Sequence, residues 1–205
     1  MPGQLAGIAV VVVSFLVGAI PWGYLAGQAA RGIDLRTIGS GGTGATNVLR
    51  TLGAKASLAV AILDVLKGLL PVIVARALGF DAAWIAAVAI AAVAGHCWSP
   101  FIGFKGGKGV ATGAGAAIGL FPAVLLVLPV MAAIVWTTRY VSLGSLVAAW
   151  LAALLALGFA AAGWLDWPAA VAILGITCII TLRHEGNLRR LLSGTERRFG
   201  ESVSM

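Results

Sequence analysis

The sequence predicts an all-α integral membrane protein whose helical bundle crosses the bilayer several times. Three observations predict this fold class: 60% of the 205 residues are hydrophobic, only 10% are charged, and the mean hydropathy is +1.03. A soluble domain carries about 25% charged residues, so this chain has too little polar surface to cover itself in water. The length leaves no room for a separate soluble domain, and residues 1–205 are predicted to form a single membrane domain.

Six apolar stretches are candidate membrane spans, because about 20 residues cross the hydrocarbon core. The first, residues 5–27, has no basic segment before it and no convincing cleavage site, so we expect a retained helix rather than a signal peptide. Residues 109–138 are longer than one ordinary crossing and are interrupted by Gly119, Phe121 and Pro122. The remaining candidates are 57–78, 82–95, 143–162 and 168–182.

The basic residues decide how often residues 109–138 cross. Cytoplasmic loops are enriched in Lys and Arg, and twelve of the fourteen basic residues share one face only if this stretch crosses twice, as two short helices. We therefore predict seven transmembrane helices, with the N-terminus outside and the C-terminus in the cytoplasm. The twelve residues are Arg31, Arg36, Arg50, Lys55, Lys105, Lys108, Arg139, Arg183, Arg189, Arg190, Arg197 and Arg198.

The first polar cluster is GSGGTGATNVLR, residues 39–50. Its glycines allow successive backbone N–H groups to turn toward an anion, and Ser40, Asn47 and Arg50 add hydrogen-bonding and charged side chains. The spacing matches a GxGxxG dinucleotide motif, but no buried strand precedes it, so that interpretation fails. The alternative is a re-entrant connection whose polar groups satisfy one another.

The second cluster contains FKGGKGVAT, residues 104–112. Lys105 and Lys108 flank Gly106 and Gly107, and this spacing can hold a phosphate between two ammonium groups and main-chain donors. The segment is not a Walker A loop, because no glycine lies six residues before Lys108 and no Ser or Thr follows it. Nucleotide hydrolysis therefore has little support.

The third cluster is RHEGNLRRLLSGTE, residues 183–196. His184 and Asn187 are three residues apart and share one helical face, so a titratable group and a neutral amide can meet one ligand. A purely structural histidine is the open alternative. Glu196 lies among arginines, and we interpret it as a structural ion-pair partner.

Two opposite charges lie one turn apart inside the candidate span 57–78. Asp64 and Lys67 are costly at that depth, so we expect them to pair with each other or to face a polar cavity. A proton or ion pathway is the functional alternative, which a single pair supports poorly.

In combination, the three clusters resemble in order and spacing the cytoplasmic motifs of the bacterial membrane glycerol-3-phosphate acyltransferases that use acyl phosphate, the PlsY family. The sequence departs from the family pattern at Gly42, where Asn is expected, and at Trp98-Ser99, where Phe-Pro is expected. The resemblance implies a compact seven-helix protein that transfers a fatty acyl group from acyl phosphate to the 1-position of glycerol 3-phosphate. The products would be lysophosphatidic acid and phosphate, in the first step of phosphatidic acid synthesis.

The resemblance also implies roles for individual residues. Ser40, Arg50, His184 and Asn187 are expected to be catalytic, and Glu196 is expected to be structural. The expected substrate-binding residues are Ser40, Asn47, Arg50, Lys105, Gly106, Gly107 and Lys108. No metal or cofactor and no nucleic acid is expected; the expected partners are glycerol 3-phosphate, long-chain acyl phosphate and membrane lipid. The protein is expected to act as a monomer in the bacterial inner membrane, with its active site on the cytoplasmic face.

The expected chemistry agrees with the motifs that the sequence lacks. An acyl phosphate is already activated, so the protein needs only to position two anions, stabilise an oxyanion and assist the removal of one proton. The chain has neither a GxSxG elbow nor an HxxxxD motif. We expect direct attack, with His184 or a substrate phosphate oxygen as the base. The alternatives are a channel or transporter for a phosphorylated small molecule and a lipid phosphatase.

Overall fold

The computed structural model describes residues 2–39 and 41–201, which form α-helices and short 3-10 turns and contain no strand. The long apolar helices pack into one bundle, and the short polar helices α2, α3 and α10 lie near one of its ends. The helices are α1 Gln4–Ala19, α2 Trp22–Arg31, α3 Ala45–Leu52, α4 Ala54–Ala77, α5 Ala82–Cys97, α6 Val110–Leu120, α7 Leu128–Thr138, α8 Val141–Ala161, α9 Trp167–Arg183 and α10 Glu185–Leu192.

Four helical stretches of the described chain are long and apolar enough to cross a membrane: Gln4–Arg31, Ala54–Ala77, Ala82–Ile102 and Val141–Ala161. A fifth is obtained when α9 and α10, which meet at a 63° bend, are counted as one span. The two remaining apolar stretches, Val110–Leu120 and Pro122–Thr138, are shorter than an ordinary crossing. Length and composition therefore give four or five of the seven predicted crossings.

The first apolar stretch, predicted as one helix over residues 5–27, is broken in the structure. Pro21 has no backbone N–H and cannot continue a helix, so α1 ends before it. The break deprives the carbonyl of Ala19 of its helical partner, which a lipid environment would not replace, while the carbonyl of Ile20 accepts a local hydrogen bond from the Trp22 N–H at 3.1 Å. Ser99 Oγ donates to Ala19 O at 2.6 Å, and Lys67 Nζ donates to Ile20 O at 2.7 Å. The break thus joins α1 to α4 and to the loop after α5.

The stretch 109–138 is broken at the predicted position, because α6 ends at Leu120 and Phe121 is extended. A 3-10 segment follows and leads into α7. The residue after α7, Arg139, accepts a hydrogen bond through its carbonyl from the Phe199 N–H at 2.6 Å. The stretch therefore begins beside the second cluster and ends beside the C-terminal tail.

Glycines allow α4 and α6 to pack at backbone contact. A Cβ atom on Gly68 would overlap the carbonyl oxygen of Thr112, and a Cβ atom on Gly115 would overlap that of Val65. Such contacts replace the hydrophobic driving force that lipid does not supply between helices. The close contact brings the start of α6 against α4.

Candidate active site

The first cluster is divided between a loop and α3. The sequence had indicated a single anion-binding loop over the whole cluster. Ser40 lies outside the described residues, so its predicted role stays a prediction. Asn47 is buried in α3, and its amide nitrogen donates to three loop carbonyls, those of Leu35 at 2.9 Å, Ile38 at 3.1 Å and Gly42 at 2.9 Å. This amide nitrogen therefore holds the loop closed, and the substrate-binding role expected of Asn47 stays a prediction.

Arg50 lies at the end of α3 beside the C-terminal tail. Its guanidinium is half-buried and donates a long hydrogen bond of 3.4 Å to Arg198 O. Burial lowers the pKa of Arg50, and the nearby charge of Arg197 lowers it further. A guanidinium stays protonated in proteins, so Arg50 is a fixed positive charge with few neutralising partners.

The glycines of the second cluster serve the packing of the turn. The Gly106 N–H donates to Cys97 O at 3.2 Å, and the Gly107 N–H donates to His96 O at 3.1 Å. A Cβ atom on Gly106 would overlap His96 O, and one on Gly107 would overlap the His96 ring. Both amides therefore pair with the end of α5, and the substrate-binding role expected of Gly106 and Gly107 stays a prediction.

The two lysines of the second cluster have different environments. Lys105 is exposed, and no hydrogen bond or ion pair of its side chain occurs within the described ranges. Lys108 is half-buried and stands directly before the first turn of α6, whose first helical hydrogen bond runs from Gly113 N to Gly109 O. The N–H groups before Gly113 have no helical partner, and helix N-termini of this kind attract anions.

Several charges act on Lys108. Burial lowers its pKa to about 8, the carboxylate of Glu196 opposes this shift, and the guanidinium groups of Arg190, Arg50 and Arg183 add to it. The structure thus brings the predicted residues Lys108, Arg50 and Glu196 into one electrostatic cluster. Positive charge is in excess there, which suits a site for phosphate groups.

His184 follows α9 directly and is only 2% exposed. Its Nδ1 lies 2.8 Å from Ile180 O, so Nδ1 carries the proton and Nε2 is left as an acceptor. Burial lowers the pKa of His184 to about 4; the hydrogen bond to Ile180 O opposes the shift, and the charge of Lys108 adds to it. The imidazole is therefore neutral at pH 7.

Glu196 accepts three hydrogen bonds. Its Oε1 accepts from Asn187 Nδ2 at 2.6 Å and from Ser142 Oγ at 2.8 Å, while Oε2 accepts from Arg190 Nε at 2.9 Å. Burial alone would raise the pKa of Glu196, but these bonds outweigh it and hold the pKa below its usual value. The ion pair expected within the third cluster is present, and it joins the tail to α8 and α10 and fixes the amide of Asn187.

Arg183 is a site residue that the sequence did not identify. Its Nε donates to Gly107 O at 3.1 Å and its terminal nitrogen donates to Gly106 O at 3.2 Å, while the guanidinium lies 5.8 Å from the centre of the Trp98 ring. An arginine at the end of an apolar helix is ordinarily a membrane anchor. In the sequence, only its position directly before His184 indicated that Arg183 could belong to the site.

The predicted ion pair inside the bundle is confirmed. Lys67 Nζ lies 2.8 Å from Asp64 Oδ1, and both side chains are almost fully buried. Asp64 Oδ1 also lies 3.7 Å from His96 Nδ1. The pair therefore meets the end of α5 directly behind the second cluster.

Comparison with known proteins agrees with this arrangement. The family model for glycerol-3-phosphate acyltransferase matches residues 8–194. Glycerol-3-phosphate acyltransferase 1 of Deinococcus radiodurans is 45% identical over 98% of this chain and 99% of its own, and the Geobacter sulfurreducens glycerol-3-phosphate acyltransferase is 48% identical over 91% and 94%.

Two crystal structures of PlsY, an integral membrane glycerol 3-phosphate acyltransferase, resemble the fold. The glycerol 3-phosphate form has a TM-score of 0.88 at 38% identity, and the lysophosphatidic acid form has a TM-score of 0.84 at 37% identity. Each covers 95% of this chain and 96% of the PlsY chain. The protein is thus a multi-pass membrane acyltransferase that belongs to the glycerol-3-phosphate acyltransferase family, in its PlsY branch.

Proposed function

We propose that this enzyme transfers a fatty acyl group from acyl phosphate to the 1-position of glycerol 3-phosphate, giving lysophosphatidic acid and phosphate. The observation that carries the proposal is the convergence of Lys108, Arg50 and Arg183 with His184 and Asn187 at one end of the bundle. Two phosphate-bearing substrates need such an excess of positive charge. The related PlsY structures are described as glycerol 3-phosphate and lysophosphatidic acid forms.

The two phosphates are assigned to different parts of the site. Lys108 and the free N–H groups at the start of α6 hold one phosphate, and Arg50, with Ser40, orients the other. Arg183 holds the Gly106–Gly107 turn in place through the two carbonyl groups. Asn187, whose amide nitrogen donates to Glu196 at 2.6 Å, lies about one helical turn after His184. This arrangement positions both anions for direct attack of the hydroxyl on the acyl carbon.

An apolar groove between α6, α7, α8 and α9 provides the site for the acyl chain. One end lies at Val110 and Ile180. Val110 begins α6 two residues after Lys108, and Ile180 accepts the hydrogen bond from His184. The groove continues along aliphatic side chains to Leu128 on α7. Each buried methylene of the chain contributes about 0.8 kcal/mol to binding, so a long acyl chain is held with its phosphate end at the charged cluster.

A phosphate oxygen of a substrate accepts the proton of the attacking hydroxyl. With a pKa of about 4, His184 is a weak base, whereas the second pKa of a phosphate monoester is about 6. The neutral imidazole accepts a hydrogen bond at Nε2 and orients the hydroxyl. The His184 ring thus positions the nucleophile, and the substrate removes its proton.

Replacement of His184 by glutamine tests this proton route. Glutamine keeps a hydrogen-bonding group but cannot act as a base, so we expect kcat to fall by about tenfold, below the 10²–10⁴-fold effect of a lost general base. The shape of the pH profile from about pH 5 to 9 should not change. A larger loss, together with the disappearance of the acid limb of the profile, would identify the imidazole as the base.

The enzyme is proposed to cross a bacterial inner membrane seven times, with its site on the cytoplasmic face, and to act as a monomer. The contact between Arg139 O and the tail at Phe199 supports two crossings by residues 109–138. The basic cluster at that end supports the cytoplasmic orientation. Labels attached at Arg139 and at the C-terminus are expected on the same face, and labelling from opposite faces would exclude the seven-helix topology.

Product analysis tests the function. The purified protein in lipid bicelles receives glycerol 3-phosphate with either palmitoyl phosphate or palmitoyl-CoA. We expect lysophosphatidic acid and an equal amount of phosphate from palmitoyl phosphate, and no product from palmitoyl-CoA. Phosphate without lysolipid would indicate a phosphatase, and no product from either donor would contradict the transfer reaction.

A further inference from the structure

A buried charged cluster lies behind the active site, and the proposed reaction does not use it. Its members are Asp64 and Lys67 of α4 and His96 of α5, which are 1%, 4% and 6% exposed. Lys67 Nζ lies 2.8 Å from Asp64 Oδ1, which lies 3.7 Å from His96 Nδ1. Lys67 also donates to Ile20 O at 2.7 Å.

Satisfying the carbonyl of Ile20 does not require this cluster. One neutral donor would satisfy the carbonyl without the cost of removing two charges from water. The Asp64 carboxylate has a second neighbour in the imidazole of His96. At 3.7 Å the two groups are beyond hydrogen-bond distance, but the negative charge of the carboxylate favours the ring orientation and tautomer that turn an N–H toward it.

The His96 residue in turn supports the turn before Lys108. Its carbonyl accepts the Gly107 N–H at 3.1 Å, and its Nε2 lies so close to Gly107 that a Cβ atom there would overlap it. Arg183 holds the carbonyl groups of the same turn. The imidazole is therefore one wall of a turn whose next residue is Lys108.

We propose that Asp64, Lys67 and His96 form a positioning cluster that fixes the His96 ring against Gly107 and so holds Lys108 at a substrate phosphate. The proposal rests on the phosphate-binding role given to Lys108 above. The three residues touch no substrate themselves and act through the turn. Their removal should therefore affect the same kinetic constant as removal of the Lys108 ammonium, which a general loss of stability would not do.

A double-mutant cycle between Asp64→Asn and Lys108→Gln tests the proposal. Lys108→Gln should raise KM for one of the two substrates, and Asp64→Asn should raise KM for that same substrate by about tenfold, since a displaced charge loses much of its contact. In the double variant the Asp64→Asn change should add less than about twofold, because groups that act as one unit are not additive. Additive effects, or a KM effect on the other substrate, would overturn the proposal, as would an unchanged KM in Lys108→Gln.

The matched control is Ser14→Ala. Ser14 is 1% exposed, and its Oγ donates to Val88 O at 2.8 Å between α1 and α5, two turns before His96. This variant also removes a buried polar contact of α5, so it reports a purely structural loss. It should leave both KM values within about twofold of the wild type and combine additively with Lys108→Gln. Equal behaviour of Ser14→Ala and Asp64→Asn would reduce the cluster to a structural role.

A second variant covers the case in which Asp64→Asn fails to fold, as judged by thermal unfolding in detergent. His96→Gln keeps the Asp64–Lys67 pair and the backbone carbonyl that Gly107 uses, and it removes only the ring. The same lack of additivity with Lys108→Gln is expected, and an additive result overturns the proposal.

Equilibrium binding of glycerol 3-phosphate and of inorganic phosphate to the intact variants gives a second readout. If the wild-type protein shows no turnover, the proposed function is contradicted. If the variants affect substrate binding additively, the positioning cluster is contradicted.

Discussion

Replacement of Gly107 by alanine is expected to lower kcat/KM by about 100-fold or more, since a shift of about 1 Å in a positioned group costs that much. The added Cβ would overlap His96 Nε2. The ring cannot retreat, because it is buried against Asp64 and its backbone carbonyl is bonded to the same turn. The turn must therefore move, and Lys108 moves with it. Measurement of kcat, KM and thermal unfolding in bicelles separates this displacement from unfolding.

Gly158→Ala is the control for the glycine change. No heavy atom lies within 4 Å of a Cβ atom built on Gly158, which lies inside α8. Alanine favours a helix by about 0.8–1.0 kcal/mol over glycine, so stability should be equal or higher and activity should stay within about twofold. Wild-type activity in Gly107→Ala would show that the turn relaxes without displacing Lys108.

Much of the fold was predictable because lipid imposes simple rules on a sequence. Each crossing must satisfy its own backbone and present apolar side chains, so residues 57–78 and 143–162 were placed close to Ala54–Ala77 and Val141–Ala161. The interruption at Phe121 was predicted because Pro122, the next residue, cannot continue a helix. The break at Pro21 was missed because apolar residues continue on both sides of it and no charge marks the position.

The site was only partly predictable, because one residue type serves two physical purposes. Glycine exposes backbone N–H groups to an anion, and it also permits backbone contact; the structure uses Gly106 and Gly107 in the second way. The amide of Asn47 likewise binds loop carbonyls. Arg183 donates to a carbonyl that lies 76 residues away along the chain. The spacing of residues within one motif cannot predict a contact between two such distant segments. The ion pair of Asp64 and Lys67 was predictable, because two charges buried one turn apart must compensate each other.

Lys108→Gln is expected to lower kcat/KM by about 10²–10³-fold, the usual effect of losing one electrostatic donor from a preorganised site. Lys105→Gln is the matched control, because the two lysines flank the same pair of glycines. The resemblance gives both lysines a substrate-binding role, but Lys105 is exposed and is not among the charges that act on Lys108. Its replacement should therefore change kcat/KM by less than about threefold, as exposed charges contribute little. Equal losses in the two variants would show that both ammonium groups bind substrate.

The same lysine predicts a pH dependence. Burial lowers the pKa of Lys108 to about 8, so the side chain is charged below that pH and neutral above it. Because kcat/KM reports the ionisation of the free enzyme, it should fall as the pH rises through about 8, when the phosphate loses its cationic partner. Lys108→Arg keeps its charge at every accessible pH and should lack this fall, although the altered geometry lowers its activity. Lys105→Gln should retain the fall; its disappearance there, or its persistence in Lys108→Arg, would assign the titration to another group.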